Sequence, residues 1–378
     1  MKKALVLGCG QMGEEAIPDL YNFGKFGELA VGTRSLGKAQ ALLSKLQGKP
    51  TKVEAFALDL RQAPDLSEIL KRFDVVVNCV GPNYKYEVLV AKAAIKAGVP
   101  LVDINDDYTT TFEMFELDEE ARKAGVAIIL GLGASPGVTN VLVRAAANQL
   151  DEVEEIHTAW VMSGSDPGGL ALSYHLLYSL SGRALTYQDG KLIEVRSFVD
   201  GRERLAFPEP VGALDVFHIG HPESITLSRV FKGARIADDK ATFNPAVVND
   251  WIVSLGTMAR EAGGPVRVNG REIDPWDFAA GLFTKRCQSL KDVSQQGALR
   301  VEVKGRKGNK TKKIFFSTAG RIAQGTGIPA SIGAQMLAEG KIEGIGVLPP
   351  EACIEPNEFL YELLSRNVGK LNGWVEDL

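Results

Sequence analysis

The stretch ALVLGCGQMG, residues 4–13, decides the fold of the first part of this chain. A short apolar run, typical of a buried strand, leads directly into a GxGxxG pattern made by Gly8, Gly10 and Gly13. In this context Gly8 permits a tight turn, Gly10 lets the backbone approach a pyrophosphate, and Gly13 allows a helix to pack closely on a sheet. The stretch therefore predicts a dinucleotide site, with a purely structural turn as the alternative.

The same pattern extends outward over residues 1–133. Short apolar runs alternate with longer segments whose apolar residues recur at three- and four-residue spacing, as in amphipathic helices. Strands that alternate with helices imply right-handed crossovers and a parallel sheet covered on both faces. We therefore predict a Rossmann-type doubly wound α/β domain. Gln11 and Met12 begin its first helix, whose unpaired N–H groups attract phosphate, so we expect both to border the cofactor.

The remaining chain has two further patterns. Residues 134–317 contain longer β-prone runs separated by a few helices, which predicts an α+β domain with a mostly antiparallel sheet for substrate binding and dimerisation. Residues 318–378 begin with an Ala- and Gly-rich stretch at helical spacing. We expect these C-terminal helices to return to the dinucleotide-binding domain.

The end of the second predicted strand selects the cofactor. About 20 residues beyond the glycines, an NAD enzyme usually places an acid that binds the ribose 2′-OH. Here the strand ends at Thr33, Arg34 and Ser35, with no carboxylate. A guanidinium and flanking hydroxyls can hold a 2′-phosphate through charge-assisted hydrogen bonds, which predicts NADP(H) rather than NAD(H). The alternative is that Arg34 is a solvated loop cation. Asp59 is predicted to contact adenine or to cap a helix.

Two further strand ends carry candidate site residues. Gly81 and Pro82 follow the run DVVVNCVG, and open α/β sheets bind ligands at such carboxyl ends, so we expect this turn beside the cofactor. An ordinary loop is the alternative. Asp103, Asp106 and Asp107 follow the run PLVDIND. Carboxylates at this edge bind a substrate ammonium or carry a proton, so Asp103 is a catalytic candidate, while Asp106 and Asp107 either bind substrate or cap the next helix.

The segment GLGASPGVTN offers a second group of backbone donors. Pro136 and Gly137 precede a helical stretch, so the amides there are suited to a substrate carboxylate or to the nicotinamide. A hinge between domains would have the same sequence pattern.

All four histidines lie in the predicted second domain, and none belongs to an HExxH motif or a Cys/His zinc pattern, so the sequence predicts no metal. A histidine near neutrality can protonate a leaving amine, which makes His175 and His218 catalytic candidates and His221 a substrate-binding candidate. A buried structural role is the alternative for each. Arg229, with nearby serines, is predicted to bind a carboxylate, unless it is a surface cation.

Composition limits the class of protein. The 378 residues are 45% hydrophobic and 24% charged, with a formal net charge of −4, so no general basic field attracts nucleic acid or anionic lipid. The four cysteines are widely scattered, which fits a reducing compartment. The apolar run after Met1 is too short for a signal peptide or a membrane span, so we expect a cytoplasmic protein.

Taken together, these stretches resemble the saccharopine dehydrogenase-like family, which includes saccharopine reductase, lysine 6-dehydrogenase and carboxynorspermidine synthase. The similarity rests on VLGCGQMG, on the segment from DVVVNCVGPN to PLVDIND, on ILGLGASPGVTNVL and on GTGIPASIGAQMLAEGKI. In the second domain, SYHLLYSLSG and FHIGHPESITLSR are most similar to the lysine 6-dehydrogenase branch.

The resemblance implies a homodimer that transfers hydride at an amine or imine carbon of an amino acid or polyamine-like substrate. It also implies that the opening glycines cradle pyrophosphate, that Arg34 and Ser35 contact the 2′-phosphate, and that Asp103 occupies a recurring acidic position. Two alternatives stay open: an NADPH-dependent reductase of a C=O or C=C bond, and a non-catalytic NADP(H)-binding sensor.

Overall fold

The computed structural model describes residues 1–62, 65–166, 169–291 and 293–378. The chain divides into two compact units, the first formed by Met1–Val141 with Ala323–Val368 and the second by Leu142–Ile322 with Gly369–Leu378. Within the described ranges, no helix combines the length and the apolar content that a membrane span needs.

The first part of the chain alternates strands and helices. Its elements are β1 (Lys2–Leu7), α1 (Gln11–Phe23), β2 (Phe26–Thr33), α2 (Leu36–Leu43), β3 (Lys52–Ala57), α3 (Leu66–Leu70), β4 (Val75–Asn78), α4 (Asn83–Ala97), β5 (Leu101–Asp103), α5 (Tyr108–Glu116), α6 (Asp118–Ala124), β6 (Ala127–Ile129) and α7 (Val138–Ala147).

The second part is richer in strands. Its elements are β7 (Glu152–Ser163), α8 (Leu170–Ser179), β8 (Arg183–Gln188), β9 (Lys191–Arg196), β10 (Glu203–Ala206), β11 (Ala213–His218), α9 (Glu223–Val230), β12 (Ile236–Asn244), α10 (Val247–Glu261), β13 (Val266–Val268), β14 (Arg271–Ile273), α11 (Pro275–Cys287), β15 (Gly297–Lys307) and β16 (Lys310–Gly320). The chain ends with α12 (Ile322–Glu339), β17 (Gly346–Leu348), α13 (Pro350–Cys353), α14 (Pro356–Ser365) and β18 (Asn372–Asp377).

The first unit contains a parallel sheet of seven strands in the order β17-β6-β5-β4-β1-β2-β3. All of its neighbouring strands run parallel, as the alternating pattern predicted, so the doubly wound fold is confirmed. The strand order reverses between β1 and β4. The carboxyl ends of these two strands therefore border the crevice where open α/β sheets bind ligands.

The C-terminal helices of the first unit are tied to its first helix by a buried ion pair. Arg366 follows α14, and its Nε donates to Asp19 Oδ2 of α1 over 2.8 Å, with both side chains at most 4% exposed. Ser331 of α12 also donates to Asp19, over 2.5 Å. Because a buried carboxylate requires such partners, these contacts hold α12 and α14 against α1.

The second unit contains a sheet in the order β10-β11-β12-β7-β15-β16-β18, to which the β8–β9 hairpin is attached. Its pairs are antiparallel except for β7 and β12, which confirms the mostly antiparallel sheet. Helices α8, α10 and α11 contribute to its main core, which includes the fully buried Phe243 and Phe283.

The observed boundaries of the second unit differ from the predicted boundaries at both of its ends. Residues 318–378 were placed with the first domain, whereas β18 pairs with β16 from Lys312↔Asp377 to Ser317↔Asn372. Backbone hydrogen bonds to β16 therefore put residues 369–378 in the second unit. At the other boundary, the first unit extends to Val141, inside α7.

Candidate functional site

The glycine loop has the backbone geometry of a phosphate cradle. Gly8 has φ +93°, and a Cβ there would lie 2.8 Å from the Cys79 carbonyl oxygen. A Cβ on Gly13 would overlap the carbonyl oxygen of Gly8, whereas a Cβ on Gly10 would meet nothing within 4 Å. Two glycines therefore allow the tight turn and close packing, and the third leaves open space for a ligand. This is the division of roles expected of a pyrophosphate loop.

Helix α1 begins directly behind that open space. Gly10 is its N-cap residue, and Gln11 and Met12 form the start of its first turn. The first N–H groups of a helix have no partner within the helix, and the helix dipole makes this end positive. The residues present therefore fit the pyrophosphate of a dinucleotide.

An exposed cation follows β2. Thr33 is buried at the end of β2, while Arg34 and Ser35 are exposed before α2. The Ser35 amide donates to Thr33 Oγ1 over 3.2 Å, which holds the turn that presents the guanidinium. The local backbone thus directs a cation and hydroxyl groups to the position where an NAD enzyme places an acid.

Asp59 lies near this cation, and sequence reasoning missed its partner. Arg61 donates through Nε to both carboxylate oxygens of Asp59, over 2.9 and 3.1 Å. Hydrogen bonds from Arg61, with a smaller contribution from Arg34, lower the pKa of Asp59 to about 2. The next helix, α3, is capped by Asp65, so the helix-cap alternative for Asp59 was wrong. The Asp-x-Arg spacing was the available signal for this ion pair.

The turn at Gly81 and Pro82 borders the glycine loop. Two residues separate it from the end of β4, and Pro82 is the N-cap residue of α4. The Cys79 carbonyl and the Val80 side chain, just before the turn, are the groups that a Cβ on Gly8 would contact. The structure therefore brings the predicted turn next to the phosphate loop, at the switch point of the sheet.

Asp103 ends β5 but is completely buried. Its Oδ1 accepts hydrogen bonds from the Asn105 amide over 2.9 Å and from the Gly131 amide over 2.7 Å. The other carboxyl oxygen faces Glu87 of α4, a buried acid that sequence reasoning missed. Burial raises the pKa of Asp103 to about 6. In this geometry Asp103 anchors two turns, and its role in proton transfer stays a prediction.

The next two aspartates have different surroundings. Asp106 is partly exposed and accepts a hydrogen bond of 2.7 Å from Asn83 Nδ2, at the start of α4. Asp107 is fully buried and caps α5, because its Oδ1 accepts from the Thr109 and Thr110 amides over 2.9 and 3.1 Å. The cap alternative therefore describes Asp107, while substrate binding by Asp106 stays a prediction.

The amides near Pro136 and Gly137 are used within their own turn. The Gly137 amide donates to Asn140 Oδ1 over 2.9 Å, and the Gly133 amide donates to the Pro136 carbonyl over 2.9 Å. Both predicted residues are buried. The Gly133 and Gly137 amides therefore stabilise the turn before α7 and are already hydrogen-bonded. A substrate carboxylate would have to be bound by other groups of this turn.

Two of the candidate histidines lie together in the second unit. His175 of α8 and His221 are both buried, and a ring nitrogen of one lies within 4.8 Å of a ring nitrogen of the other. His221 Nδ1 is 2.8 Å from Glu223 Oε2 and 3.3 Å from Asp239 Oδ2. Burial opposes the charged ring, but these two carboxylates outweigh it and raise the pKa of His221 well above its ordinary value.

His218 belongs to another environment, although it is close to His221 in sequence. Its pKa is lowered by burial and responds to Asp238, whereas His221 contacts Asp239. Successive side chains of a strand point to opposite faces of the sheet, so the two adjacent aspartates of β12 serve different faces. The structure therefore separates His218 from the pair formed by His175 and His221.

Arg229 lies on the exposed side of α9. Ser224 and Ser228, which the sequence grouped with it, are buried, and Ser228 Oγ donates back to the Ser224 carbonyl over 2.7 Å. The Ser228 hydroxyl is therefore used within α9, and the binding of a carboxylate by Arg229 stays a prediction. Their helical spacing places the two serines and the arginine on different sides of α9.

Two family models match consecutive parts of this chain. The saccharopine dehydrogenase NADP-binding domain matches residues 4–129, and the saccharopine dehydrogenase C-terminal domain matches residues 133–368. Together with the glycine cradle, these matches define an NAD(P)-binding oxidoreductase. The chain belongs to the saccharopine dehydrogenase family, which confirms the resemblance seen in its sequence.

Similar proteins extend over nearly the whole chain. Carboxyaminopropylagmatine dehydrogenase of Synechocystis sp. is 23% identical over 96% of this chain and 95% of its own length. Carboxynorspermidine synthase of Vibrio cholerae is 22% identical over 91% of this chain and 90% of its own. The solved saccharopine dehydrogenase (L-Glu forming) of Saccharomyces cerevisiae has a TM-score of 0.68 at 17% identity, covers all of both chains, and so supports the fold.

Proposed function

We propose that this protein is an NADP(H)-dependent oxidoreductase that transfers hydride at a carbon–nitrogen centre of an amino acid or polyamine-like substrate. One observation carries the reaction class: the nucleotide-binding and C-terminal family models match in order over residues 4–129 and 133–368. Two relatives that match nearly end to end are named for carboxyaminopropylagmatine and carboxynorspermidine. Both names denote amine compounds, which favours an amine or imine centre over a C=O or C=C bond.

The first unit supplies the residues that would hold the dinucleotide. Gly8, Gly10 and Gly13, with Gln11 and Met12 at the start of α1, would bind the pyrophosphate. Gly81 and Pro82 would border its nicotinamide half, because their turn lies beside the glycine loop. When bound, the nicotinamide supplies or accepts the hydride at its C4 atom.

The cation at the end of β2 favours NADP(H) over NAD(H). Arg34 and Ser35 are exposed, and Thr33 shapes their turn. Asp59, the nearest candidate acid, is held by Arg61 rather than projecting alone toward a ribose. Since an arginine forms charge-assisted hydrogen bonds with phosphate, this end would bind the 2′-phosphate through Arg34 and discriminate against the unphosphorylated cofactor.

The reaction also needs a group that moves a proton, because the nitrogen changes its protonation as the imine is reduced. Asp103, His175 and His218 are the candidates from the sequence, and we favour His175 because it is buried beside a second histidine. It lies beside His221, whose charge is held by two carboxylates. Asp106, His221 and Arg229 remain proposed contacts of the substrate, and a cytoplasmic homodimer remains the proposed assembly.

Titration calorimetry with NADPH and NADH tests the cofactor. We expect NADPH to bind more tightly, and Arg34→Ala to weaken NADPH by about 10- to 100-fold, the loss typical of a hydrogen bond to a charged group. NADH affinity should be unchanged, and the exposed Arg271→Ala in β14 serves as a matched control. Equal or tighter binding of NADH by the unaltered protein would contradict the NADP(H) assignment.

Nicotinamide absorbance tests the reaction. Mixing the protein and NADPH with a panel of aldehydes, each with and without amino acids or diamines, should consume NADPH only where an imine can form. Consumption with aldehydes alone would point to carbonyl reduction. Binding of NADPH without consumption across the panel would point to a sensor.

A further inference from the structure

Glu87 is a buried acid that connects to the turn after β4. It lies in α4 and is 1% exposed. Asn78, the last residue of β4, donates through Nδ2 to Glu87 Oε2 over 3.0 Å and accepts from the Val80 amide at Oδ1 over 3.1 Å. Glu87 thereby fixes the side chain that shapes the start of the Gly81–Pro82 turn.

Asp103 makes the corresponding connection to two other turns. Its Oδ1 accepts from the Asn105 amide, in the turn after β5, and from the Gly131 amide, in the segment after β6. The Leu132 amide also donates to the Asp103 backbone carbonyl over 2.8 Å. Three chain segments at the carboxyl edge of the sheet thus converge on two carboxyl groups.

Asn78 and Asp103 pair across the neighbouring strands β4 and β5, and the Asn78 side chain bonds Glu87, so the two acids lie close together and each influences the pKa of the other. Among the described residues, Glu87 Oε1 and Asp103 Oδ2 are the buried oxygens of this pair that no amide or hydroxyl reaches. An ionised carboxylate only accepts hydrogen bonds, so two ionised groups would repel and could not be hydrogen-bonded to each other. A single proton between these two oxygens would give each of them a partner.

We propose that Glu87 is a protonated carboxylic acid that donates to Asp103 Oδ2, and that this one proton holds together the three turns at the cofactor edge. Asp103 carries the negative charge because two backbone amides stabilise its Oδ1, whereas Glu87 receives one side-chain amide. Burial, and next the charge of Asp103, raise the pKa of Glu87 well above its ordinary value. The other titratable groups facing the pair, Asp106 and the Cys79 thiol, provide no compensating cation.

Glu87 is thus a positioning residue that acts through Asn78 and Asp103. The turn after Asn78 contacts the Gly8 backbone, so loss of the proton would place two like charges beneath the dinucleotide loop. We expect dinucleotide affinity to fall as pH rises through the pKa of Glu87. This consequence rests on the proposed function, because it assumes that these turns bind NADP(H).

Three variants of the full-length chain test the assignment. In Glu87→Gln, the amide NH₂ can donate to Asp103 Oδ2 while the amide oxygen accepts from Asn78, so every hydrogen bond of the protonated acid is kept. We expect this variant to bind NADPH within about twofold of the unaltered protein at neutral pH, with no loss at alkaline pH. Glu87→Leu removes the hydrogen bonds to Asn78 and to Asp103, so its affinity for NADPH should fall by about tenfold or more. Asp103→Asn removes the negative charge that the Asn105 and Gly131 amides stabilise. We expect this variant to bind NADPH more weakly than Glu87→Gln does.

Infrared difference spectroscopy locates the proton without any cofactor. The unaltered protein should show the carbonyl band of a protonated carboxylic acid at neutral pH, shifted by ¹³C-labelled glutamate but not by labelled aspartate, and absent from Glu87→Gln. A band that shifts with labelled aspartate and is absent from Asp103→Asn, or the lack of any glutamate-shifted band, would overturn the assignment, whereas an aspartate band that persists in Asp103→Asn belongs to another acid such as Asp239.

The pH dependence of unfolding is a second readout that needs no cofactor. A carboxyl whose folded pKa is raised makes the folded state bind more protons, so its contribution to stability falls as pH rises from its ordinary pKa toward the raised one. We expect Glu87→Gln to lack this fall. If NADPH does not bind at all, the positioning role fails together with the proposed function, while the infrared result still decides where the proton lies.

Discussion

Gly327 of α12 lies directly against the carbonyl oxygen of Met12 in α1. A Cβ at position 327 would overlap that oxygen and would lie 2.9 Å from Glu15 Cβ and 3.0 Å from the Ala16 amide nitrogen. Because these atoms belong to the first turns of α1, the glycine sets how closely α12 approaches the helix behind the phosphate loop. A residue near the C-terminal end of the chain thus shapes the cofactor cradle formed near its start.

We predict that Gly327→Ala lowers the free energy of unfolding by about 1–3 kcal/mol, because the added methyl group forces the two helices apart. NADPH affinity should fall as well. Gly325→Ala is the matched control, since a Cβ there would meet Ala134 Cβ at an ordinary 3.5 Å and alanine favours the helix. Thermal unfolding and titration calorimetry check both variants. Equal free energies of unfolding for Gly327→Ala and Gly325→Ala would show that the close contact between α12 and α1 does not require glycine at position 327.

We predict opposite effects for the two members of the Asp59–Arg61 ion pair. Arg61→Ala releases the Asp59 carboxylate near Arg34, so NADPH binding should weaken several-fold more than NADH binding. Asp59→Asn removes a negative charge beside both arginines and should strengthen NADPH binding. Calorimetric titration of each variant with both cofactors provides the comparison. Parallel changes for the two cofactors would mean that this pair does not face the 2′-phosphate.

We predict that His175→Gln lowers kcat by about 10²- to 10⁴-fold, the usual contribution of a general acid or base. NADPH affinity should stay unchanged. His218→Gln is the matched control, because the structure separates His218 from the pair of His175 and His221. Steady-state kinetics and thermal unfolding should be measured for both variants. A larger loss of kcat in His218→Gln would transfer the proton-transfer role to that residue.

We predict that His221 is protonated at neutral pH while His218 is neutral. The two carboxylates beside His221 raise its pKa, and burial lowers the pKa of His218. Heteronuclear NMR of histidine labelled with ¹⁵N distinguishes the two states, and His221→Gln and His218→Gln assign the signals. A neutral His221 ring at neutral pH would contradict the buried ion cluster.

The same cluster has a defined effect on stability. A histidine whose folded pKa is raised stabilises fully below its unfolded pKa of about 6.5, and this contribution is lost as pH rises through the folded value. Asp239 acts in the same direction, because burial, followed by the charge of Glu223, raises its pKa to about 7. We therefore expect the contribution of Asp239 to the free energy of unfolding to decline as pH rises toward about 7, and that of His221 to decline above neutral pH, the latter decline being absent in His221→Gln.

Much of the fold could be predicted from the sequence because it depends on local patterns. The glycine spacing after β1 and the alternation of apolar runs with helical segments each require only a short window of residues. The membership of β18 could not be predicted in this way. Its strand-like residues were assigned by their position in the chain, whereas hydrogen bonds to β16 place them in the second unit.

The sequence by itself determined the glycine cradle, the parallel sheet around it and the arginine that replaces an acid at the end of β2. Only the tertiary structure decided that Glu87 lies beside Asp103 and that Asp107 caps a helix. It also decided that His175 lies near His221 and not near His218. The physical reason is that the charge state and partners of a buried side chain depend on what packs around it. Those neighbours come from other elements, and no spacing within one segment of the chain specifies them.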